Sequence, residues 1–406
     1  MIQIQAKVRG FLCTTAHPVG CQQNIEHQIR QAQTIASRKG ESRPKNVLII
    51  GGSAGYGLAS RIVCAAGYGA NTLSIALEKP PKENKTASAG WYNDFYFQRW
   101  AKQSGIAAKS ISGDAFSLEI KQQAVDTIKA DMGKIDLVIY SLAAPRRNKL
   151  SPDKEPVTHQ SVIKPINRAI QGQTIDTATG VLKPFELEPA SQQEIDDTVS
   201  VMGGEDWYDW MNFLNESAVL SEQCKTVAFS YLGGDLTKSI YGAGTLGAAK
   251  ENLEYYCQKI NDHLLPSSHS ARANVAVLKA IVTQSSAAIP SLPLYISLLY
   301  RVMKNRGNHE GCMEQIIRLF DTGLYPLKLQ TCKRDKPYRF RLDDRELNPV
   351  IQHEVSELWK SVSNENLSSI SDLEGYRSDF LSLFGFGWPE VDYEQPVSTL
   401  PTLADH

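Results

Sequence analysis

A tyrosine and a lysine nine positions apart, Tyr241 and Lys250, are the side chains of this sequence best suited to moving a proton. A free phenol has a pKa of about 10, and an ammonium group close to it favours the ionised form. Such a pair can hydrogen-bond and protonate the enolate or alkoxide oxygen that forms when a substrate accepts a hydride. The pair therefore indicates reductive chemistry. A packed tyrosine with an exposed lysine is the alternative that the spacing alone leaves open.

The spacing of the pair restricts the backbone around it. At about 100° per residue, nine residues would place the two side chains on opposite faces of one unbroken α-helix. Both can contact one ligand only if Tyr241 precedes the helix or if the helix is irregular near it. Gly242, Gly244 and Gly247 follow the tyrosine and are poor helix interiors. These glycines make either arrangement possible.

A glycine-rich turn earlier in the chain is suited to binding the pyrophosphate of a dinucleotide. The apolar run Val47–Ile50 predicts a strand, a helix-forming run follows the turn, and Gly-Gly-Ser-Ala-Gly-Tyr-Gly lies between them. Gly51 lets the chain leave the strand, Gly55 lets the backbone approach the phosphates, and Gly57 lets the new helix pack close to the sheet. No Lys-Ser or Lys-Thr pair follows, which argues against a nucleoside triphosphate loop. A turn without a ligand is the alternative.

The second predicted strand, residues 71–78, ends in a carboxylate, Glu78, which lies 21 residues beyond Gly57. In folds that bind nicotinamide dinucleotides, an acid at this position accepts hydrogen bonds from the adenosine ribose and repels a 2′-phosphate. Glu78 therefore favours NADH over NADPH, although the adjacent Lys79 weakens that argument. A solvated acid at the end of a strand is the alternative.

The remaining strands place further candidates at the same edge of a sheet. Strands are predicted at residues 107–111, 135–143, 225–231 and 273–280, and helical runs separate most of them. This alternation indicates a parallel sheet with helices on both faces, whose ligands bind at the carboxyl ends of the strands. Asp114 follows the third strand, where it could bind an adenine amino group or cap the next helix. Small residues end the fourth strand, which would let the backbone approach a ribose.

Composition excludes several classes of protein. The chain has 406 residues, of which 42% are hydrophobic, and a net charge of −1, so it can bury a large core and has no general attraction to nucleic acid or anionic membranes. Seven scattered cysteines, an odd number, indicate reduced thiols in the cytoplasm. Cys13, His17 and Cys21 lack a fourth ligand, so we expect no metal. The N-terminus has no apolar signal core, and the apolar stretch 287–300 contains two prolines and is too short to span a bilayer.

We expect the whole chain to form one elaborated α/β domain around a Rossmann-type, doubly wound and mostly parallel sheet. Residues 1–44 would add an N-terminal β-hairpin and a surface helix at 24–38. Residues 45–330 would form the nucleotide-binding and catalytic core, and residues 331–406 a C-terminal helical extension. Within the core, residues 146–189 are irregular and predict an insertion with short strands near the site.

Many long segments resemble the FabV-type trans-2-enoyl reductases of bacterial type II fatty acid synthesis, an enlarged branch of the short-chain dehydrogenases and reductases. The family's Tyr-x8-Lys hallmark falls on Tyr241 and Lys250, and the Gly-x3-Gly-x-Gly spacing is also closer to short-chain dehydrogenases than to the usual G-x-G-x-x-G. One departure is Gly242-Ala243, where relatives often carry tryptophan and a polar residue; it bears on acyl-chain preference and not on the reaction. Other matching segments are Gly90-Trp-Tyr-Asn, Tyr140-Ser-Leu-Ala-Ala-Pro-Arg, Val201-Met-Gly-Gly-Glu-Asp-Trp and His309-Glu-Gly-Cys.

The resemblance implies roles for individual residues. Tyr241 would be the proton donor, Lys250 would bind the cofactor, and Tyr231 would contact the thioester end of the substrate. The cofactor would be NADH. Its binding residues would be Gly51, Gly52, Ser53, Ala54, Gly55 and Tyr56 at the pyrophosphate, Leu77 and Glu78 at the ribose that selects NADH, Asp114 and Ala115 at the adenine, Leu142 and Ala143 at the ribose, and Ile281, Val282 and Thr283 at the carboxamide.

The reaction implied by the resemblance is the NADH-dependent reduction of the trans-2 double bond of an enoyl thioester on acyl carrier protein or coenzyme A. We expect the apolar stretch 287–303 to line an acyl tunnel, with a packed core helix as the alternative. We expect a cytoplasmic protein that binds no nucleic acid and does not insert into membranes, and the resemblance implies a monomer. The rival hypotheses are a carbonyl reductase of the same superfamily and a redox sensor that binds NADH without turnover.

Overall fold

A central sheet of eight strands organises the part of the chain that a computed structural model describes, residues 1–35, 43–151, 154–265, 272–326 and 331–401. The strands are β1 (Val8–Arg9), β2 (Leu12–Cys13), β3 (Asn46–Ile50), β4 (Asn71–Ala76), β5 (Ala108–Ser112), β6 (Ile135–Tyr140), β7 (Arg146–Ser151), β8 (Lys154–Gln160), β9 (Ile170–Asp176), β10 (Val181–Leu187), β11 (Leu220–Ser230), β12 (Arg272–Val277), β13 (Arg334–Lys336) and β14 (Arg339–Arg341). The helices are α1 (Pro18–Gln33), α2 (Gly55–Ile62), α3 (Ala89–Gln103), α4 (Leu118–Asp131), α5 (Gln192–Met202), α6 (Glu205–Glu216), α7 (Asp235–Lys238), α8 (Thr245–His263), α9 (Gln284–Ala287), α10 (Leu292–Asn305), α11 (Cys312–Leu319), α12 (Pro349–Ser361), α13 (Leu367–Ile370) and α14 (Leu373–Ser382). The π-helical turns Val63–Gly67 and Phe320–Leu324 continue α2 and α11.

The strands of the central sheet lie in the order β13-β14-β12-β11-β6-β3-β4-β5. All neighbouring pairs are parallel except β13 with β14. The chain enters the sheet at β3, moves outward to β5, returns to β6 on the other side of β3 and continues to β12. The loops after β3 and β6 therefore lead in opposite directions, and such a position is where open parallel sheets bind ligands. The doubly wound fold is confirmed.

Helices cover both faces of the sheet. Val47 and Ile49 of β3 belong to the larger apolar cluster, which includes residues of α1, α2, α10 and α11, whereas Leu48 and Ile50 belong to a second cluster with α4, α6 and α8. All four side chains are fully buried. A parallel strand that is covered on both faces has this continuously apolar sequence. Because each such side chain contributes about 1.5–3 kcal/mol by burial, β3 fixes the position of the glycine turn that follows it.

The first helix differs from the expectation. α1 begins earlier than predicted, at Pro18, and buries one face that includes Ile25. Proline suits a first helical turn because its φ angle is already helical and its missing N–H would have no partner there. The His17 ring accepts a hydrogen bond from the Gly20 N–H at 3.2 Å, in place of the usual hydroxyl or carboxylate cap. The predicted surface helix therefore exists, but it starts earlier and has one buried face, and its predicted end at residues 36–38 lies outside the described residues.

The C-terminal extension contains strands as well as helices. β14 pairs in parallel with β12 and buries Phe340, although its charged sequence predicts only a polar segment. The Arg339 guanidinium pairs with Glu254 of α8 at 2.6 Å and with Asp335 at 2.5 Å. This pairing lets a charged strand extend the sheet. The expected C-terminal helices follow as α12 to α14.

Short hairpins and one long-range pairing complete the fold. The expected N-terminal hairpin is β1 with β2, and the insertion at 146–189 contains two antiparallel hairpins, β7 with β8 and β9 with β10. Ile2 and Val397 exchange backbone hydrogen bonds, each with a nitrogen–oxygen distance of 2.9 Å. Within the described ranges, the structure has no helix long and apolar enough to span a membrane.

Several predicted strands end earlier in the structure. β4 ends at Ala76, β6 at Tyr140, β11 at Ser230 and β12 at Val277. The residues that follow have left the hydrogen-bonded ladder and form loops at the carboxyl edge of the sheet. These loops carry the predicted site residues Leu77, Glu78, Leu142, Ala143, Tyr231, Ile281, Val282 and Thr283.

Candidate active site

The glycine turn has the backbone geometry that its sequence predicts. Gly51 and Gly55 have positive φ angles of 89° and 53°, a region that favours glycine. A Cβ atom on Gly57 would lie 2.0 Å from the Gly51 carbonyl oxygen, so the turn closes only with glycine at this position. Ala54 precedes α2 and has no side chain that could cap it. The first turn of α2 therefore presents N–H groups and a helix dipole that favour an anion.

Glu78 is held beside this turn. Ser53 Oγ donates a hydrogen bond to Glu78 Oε1 at 2.6 Å, and Ser88 Oγ donates to the other carboxylate oxygen. Gly90 leaves room for the carboxylate, because a Cβ atom there would lie 2.1 Å from Oε1. The neighbouring Leu77 is 73% exposed. Glu78 is thus a fixed acid at the rim of the turn and not a freely solvated one.

Asp114 turns the chain after β5. Its Oδ1 accepts a hydrogen bond from the Phe116 N–H at 3.0 Å, whereas the hydroxyl that caps α4 belongs to Ser117. Ser117, and not Asp114, therefore caps α4. The neighbouring Ala115 is buried, and its carbonyl accepts a hydrogen bond from Trp210 Nε1 at 3.0 Å. This hydrogen bond fixes the backbone at the end of β5.

The loop after β6 lies directly against the glycine turn. The Ser141 N–H donates to the Ile50 carbonyl at 2.8 Å, and a Cβ atom on Gly51 would lie 2.4 Å from the Ser141 carbonyl oxygen. Leu142 and Ala143 follow, the first half-buried and the second exposed. The structure therefore brings both residues to the position that the sequence predicts, beside the turn.

The loop after β12 closes the other side of the turn. The Thr283 methyl group would lie 3.6 Å from a Cβ atom on Gly55. The Tyr56 hydroxyl donates to the Lys279 carbonyl at 2.8 Å. Residues 281–282 are buried just before Thr283. These contacts place the predicted carboxamide-binding loop next to the predicted pyrophosphate-binding turn.

Tyr241 precedes α8, which is one of the two arrangements that the sequence leaves open for a ligand shared with Lys250. It belongs to the turn between α7 and α8 and precedes the first residue of α8, Thr245. Gly247 lets this turn rest on the helix, because a Cβ atom there would lie 2.0 Å from the Gly242 carbonyl oxygen. Tyr241 is 8% exposed, and its hydroxyl has no hydrogen-bond partner among the described residues. Burial raises the pKa of the phenol above its ordinary value, so the hydroxyl keeps its proton at neutral pH.

Lys250 extends from α8 toward the end of β11. Its Nζ donates a hydrogen bond to the Phe229 carbonyl at 3.3 Å, and burial lowers its pKa to about 8. The expectation that the ammonium group favours a Tyr241 phenolate is not met, because burial is the cause that acts on both pKa values. A low-dielectric environment disfavours the charged form of each group. The pair therefore consists of a protonated phenol and a lysine that titrates near physiological pH.

Tyr231 connects the pair to the rest of the site. Its ring contacts the Tyr241 ring edge to face, with centroids 4.8 Å apart and planes at 85°. At the end of β11, just before Tyr231, the Phe229 ring contacts Tyr56 of the glycine turn at a centroid distance of 5.9 Å. The phenol, the lysine and the glycine turn are thus joined through the end of β11.

Three protein-family models match successive parts of the chain. The model described as the catalytic region of trans-2-enoyl-CoA reductase matches residues 85–325, and the one described as the NAD(P)H binding domain of the same reductase matches residues 3–83. The chain belongs to the trans-2-enoyl-CoA reductase family. A third model, described as an enoyl reductase FAD binding domain, matches residues 334–397.

Individual members of the trans-2-enoyl-CoA reductase family are similar over nearly the full chain. The enoyl-[acyl-carrier-protein] reductase [NADH] of Teredinibacter turnerae is 50% identical over 99% of both chains. The trans-2-enoyl-CoA reductase [NADH] of Ruminiclostridium cellulolyticum is 48% identical over 97% of both. The crystal structure of Treponema denticola trans-2-enoyl-CoA reductase in complex with NAD matches with a TM-score of 0.92, 44% identity and coverage of 98% of both chains. The fold of the family is therefore also the fold of this chain.

The flavin in the third description does not fit the described part of residues 334–397. β14 leads into α12 through a segment without glycine, so no phosphate-binding turn lies there. A Cβ atom on Gly385 would lie 2.5 Å from the Cys21 nitrogen, and one on Gly375 would lie 2.3 Å from Asp372 Oδ2, so both glycines pack against protein. The third glycine of this segment, Gly387, has open space around it but lies in a bend that follows no strand. We therefore assign no flavin to this segment. The described ranges also contain no group of three or more potential metal ligands.

The sequence does not reveal Glu346, which lies between β14 and α12. Glu346 is fully buried and accepts hydrogen bonds from the hydroxyls of Tyr231 at 3.0 Å and Tyr295 at 2.8 Å. Its local sequence, Asp-Asp-Arg-Glu-Leu-Asn, is typical of a solvated charged loop. The pairing of β14 with β12 brings the carboxylate to the site, and no local pattern predicts that pairing.

The apolar stretch 287–303 is mainly a core helix. The first nine residues of α10, Leu292–Tyr300, are all buried, so the alternative of a packed helix describes most of this stretch. Only its N-terminal end borders a cavity of about 360 Å³. That cavity also contacts the β9–β10 hairpin, the residue before Tyr241 and the end of α12, and its lining includes Gln171, Gln173, Ile240, Ser291, Leu294 and Trp359.

Proposed function

We propose that this protein uses NADH to reduce the trans-2 double bond of an enoyl thioester carried by acyl carrier protein or coenzyme A. The observation that carries the proposal is the position of Tyr241. Its protonated hydroxyl has no hydrogen-bond partner in the described ranges, and its ring contacts the same strand end that holds Lys250. When bound, NADH supplies a hydride. The names of the relatives support this substrate class and this cofactor.

The roles of the side chains follow from where charge develops. As a C–H bond forms at the β-carbon, the π electrons move toward the thioester carbonyl, and its oxygen becomes an enolate. Tyr241 hydrogen-bonds this oxygen and stabilises its charge, an effect that is large in a buried site. The α-carbon then gains a proton, for which the Tyr241 hydroxyl is the source. One hydride and one proton thus saturate the double bond.

The cofactor would lie along the carboxyl edge of the sheet, where the uncapped first turn of α2 favours a pyrophosphate. Lys250 would bind a ribose through its ammonium group. The other proposed contacts are Gly51–Tyr56 at the pyrophosphate, Leu77 and Glu78 at the adenosine ribose, Asp114 and Ala115 at the adenine, Leu142 and Ala143 at the ribose, and Ile281–Thr283 at the carboxamide.

Following NADH absorbance with two substrates tests the proposed function. Crotonyl-CoA has the conjugated double bond, and acetoacetyl-CoA has a 3-keto group instead. We expect NADH oxidation with crotonyl-CoA and little with acetoacetyl-CoA. Turnover of acetoacetyl-CoA alone would mean a carbonyl reductase. Binding of NADH without turnover of either substrate would mean a sensor.

Glu78→Ala is expected to raise the preference for NADPH. The carboxylate that two serine hydroxyls hold at the glycine turn would repel a 2′-phosphate, and such a like-charge contact costs several kcal/mol. We expect the ratio of kcat/KM with NADPH to kcat/KM with NADH to rise at least about tenfold, which corresponds to about 1.4 kcal/mol. Initial rates with both cofactors at saturating crotonyl-CoA measure it.

Glu83→Ala is the matched control for this change. Glu83 is an exposed acid in the same loop, so its removal alters the net charge equally without altering the rim of the turn. We expect its cofactor ratio to match that of the unchanged protein. An unaltered ratio in Glu78→Ala itself would show that Glu78 does not select the cofactor.

NADH binding is expected to weaken as the pH rises through about 8, because that is the pKa of Lys250 and the group is charged only below it. Loss of a charge-assisted hydrogen bond costs about 1.5–3 kcal/mol, so the Kd should increase about tenfold or more. Titration by NADH fluorescence on both sides of this pH measures the change. Lys250→Met should bind NADH weakly at every pH. Lys259→Met changes a half-buried lysine of α8 whose ammonium group lies over the Tyr255 ring, and this variant should keep the pH dependence. If the Kd of Lys250→Met for NADH still depended on pH, the pH dependence would belong to another group.

We also propose that residues 1–44, 45–330 and 331–406 work as one domain in a cytoplasmic monomer. The larger apolar cluster contains residues from Ile4 to Phe386, which supports a single folding unit. All seven cysteines are free thiols, which supports a reducing compartment. Sedimentation of the full chain in solution tests whether it is a monomer.

A further inference from the structure

A buried carboxylate lies behind the tyrosine that the substrate would contact. Glu346 Oε1 accepts hydrogen bonds from the hydroxyls of Tyr231 at 3.0 Å and Tyr295 at 2.8 Å, and Oε2 accepts from the Ala280 N–H at 2.7 Å. Gln352 Nε2 donates to the Tyr295 hydroxyl at 3.0 Å and to the Glu346 carbonyl at 2.8 Å. Both carboxylate oxygens therefore have donors, although the residue is fully buried.

Burial and the polar neighbours of Glu346 shift its pKa in opposite directions, and the net shift is upward. Burial raises the pKa of this carboxyl, whereas the charge of Lys279 and the three donors lower it. Lys279 is itself buried, and its Nζ donates to the Ala280 carbonyl at 2.9 Å. A buried carboxylate is tolerated when hydrogen bonds and an opposite charge compensate its desolvation. Hydrogen bonds to both carboxyl oxygens therefore hold Glu346 in one position.

The hydrogen bond to Glu346 determines what Tyr231 can do. A phenol has one hydrogen to donate, and that of Tyr231 is directed to Glu346 Oε1. Tyr231 therefore cannot give a hydrogen bond to an enolate, while the Tyr241 hydroxyl can. The same bond also fixes the Tyr231 ring, whose centroid lies 4.8 Å from that of Tyr241.

We propose that Glu346 is a positioning residue for the reduction. By accepting the Tyr231 hydroxyl hydrogen, it holds the Tyr231 ring against Tyr241 and leaves Tyr241 as the only one of the two phenols that can protonate the substrate. The inference rests on the proposed function. It adds a residue from the C-terminal extension to the catalytic core.

Glu346→Gln keeps the shape of the side chain but has only one acceptor oxygen. If that oxygen faces the tyrosines, the amide NH2 group meets the Ala280 N–H, and two donors oppose each other. If the oxygen faces Ala280, the NH2 group meets the two phenols, and the Tyr231 hydroxyl hydrogen must turn away from it. The first orientation leaves the buried Ala280 N–H without an acceptor and pushes the side chain away from it, and the second removes the acceptor of the Tyr231 hydroxyl, so each weakens the support of the Tyr231 ring.

A double-mutant cycle of Glu346→Gln with Tyr231→Phe tests this role, with NADH and crotonyl-CoA as reactants. We expect each single variant to lower kcat about tenfold or more and the double variant to lose little beyond either one, since both changes remove the same bond. The Kd for NADH should stay within about twofold in all four proteins. Losses that multiply in the double variant would overturn the inference, and so would a normal kcat in Glu346→Gln.

Glu310→Gln is the matched control. Glu310 is also a buried acid, 3% exposed, but its carboxylate accepts from Gln315 and Arg318 and contacts neither phenol. We expect it to lower the thermal midpoint while its effect on kcat multiplies with that of Tyr231→Phe.

If Glu346→Gln does not fold, Gln352→Leu replaces it in the cycle. This variant keeps the carboxylate and removes the donors that support Tyr295 and the Glu346 backbone. We expect Gln352→Leu to lower kcat less than Glu346→Gln does, and the double variant with Tyr231→Phe to lose little beyond Tyr231→Phe alone. Losses that multiply in this double variant would contradict the inference. Absence of crotonyl-CoA turnover in the unchanged protein would instead refute the proposed function.

Discussion

Tyr241→Phe should bind NADH as the unchanged protein does and lose most of its turnover with crotonyl-CoA. A positioned general acid contributes about two to four orders of magnitude to a rate, and the Tyr241 hydroxyl is the group that we assign to this role. The phenylalanine ring should keep the edge-to-face contact with Tyr231. Because the hydroxyl has no hydrogen-bond partner among the described residues, its removal should leave the thermal midpoint nearly unchanged. Steady-state kinetics and an NADH titration measure both properties.

Tyr376→Phe is the control for this prediction. Tyr376 is also a buried phenol without a hydrogen-bond partner in the described ranges, but it lies on α14. We expect it to keep the full kcat and a similar thermal midpoint. If Tyr241→Phe retained more than about a tenth of the normal kcat, the proton would have another source, and the proposed mechanism would fail.

Gly57→Ala should raise the Kd for NADH about 100-fold. The added Cβ atom would lie 2.0 Å from the Gly51 carbonyl oxygen and 3.1 Å from Ser141 Oγ. The first of these is a backbone atom, so the turn must open. The N–H groups of α2 then no longer point at the pyrophosphate. Two lost charge-assisted hydrogen bonds, at about 1.5 kcal/mol each, give a change of this size. Fluorescence titration with NADH provides the measurement.

Gly69→Ala separates strain from ligand binding in this experiment. Gly69 has a φ of 71°, and a Cβ atom there would meet nothing within 4 Å. The left-handed conformation should cost about 1–2 kcal/mol of stability without affecting the Kd for NADH. A normal Kd in Gly57→Ala would show that the cofactor does not use this turn.

The features that the sequence predicts correctly are local. The run Val47–Ile50 is fully apolar because β3 is buried on both faces, and the glycines after it are required by φ angles and contacts within a few residues. For Tyr241 the local sequence leaves two arrangements open, a turn before the helix or an irregular helix, and the structure has the first, with Gly244 as the N-cap of α8. Geometry that depends on nearby residues can be predicted from residue types and their spacing.

The features that the sequence does not predict depend on distant contacts. Glu346 and the charged strand β14 resemble solvent-exposed segments until β14 pairs with β12. The direction of the pKa change at Tyr241 depends on burial by the whole fold, which raises the pKa. For the same reason α1 looks like a surface helix in sequence, since the partners of its buried face include Gly385, hundreds of residues away.

The pairing of Ile2 with Val397 has a consequence for biosynthesis. Ile2 is synthesised long before Val397, so this contact cannot form until Val397 and the residues between the two have left the ribosome. Loop-closure entropy grows only logarithmically with length, so the equilibrium penalty for such a long closure is modest, whereas contacts of high sequence separation slow the search. A nascent chain that can already form β3 to β6 therefore still lacks the partner of Ile2.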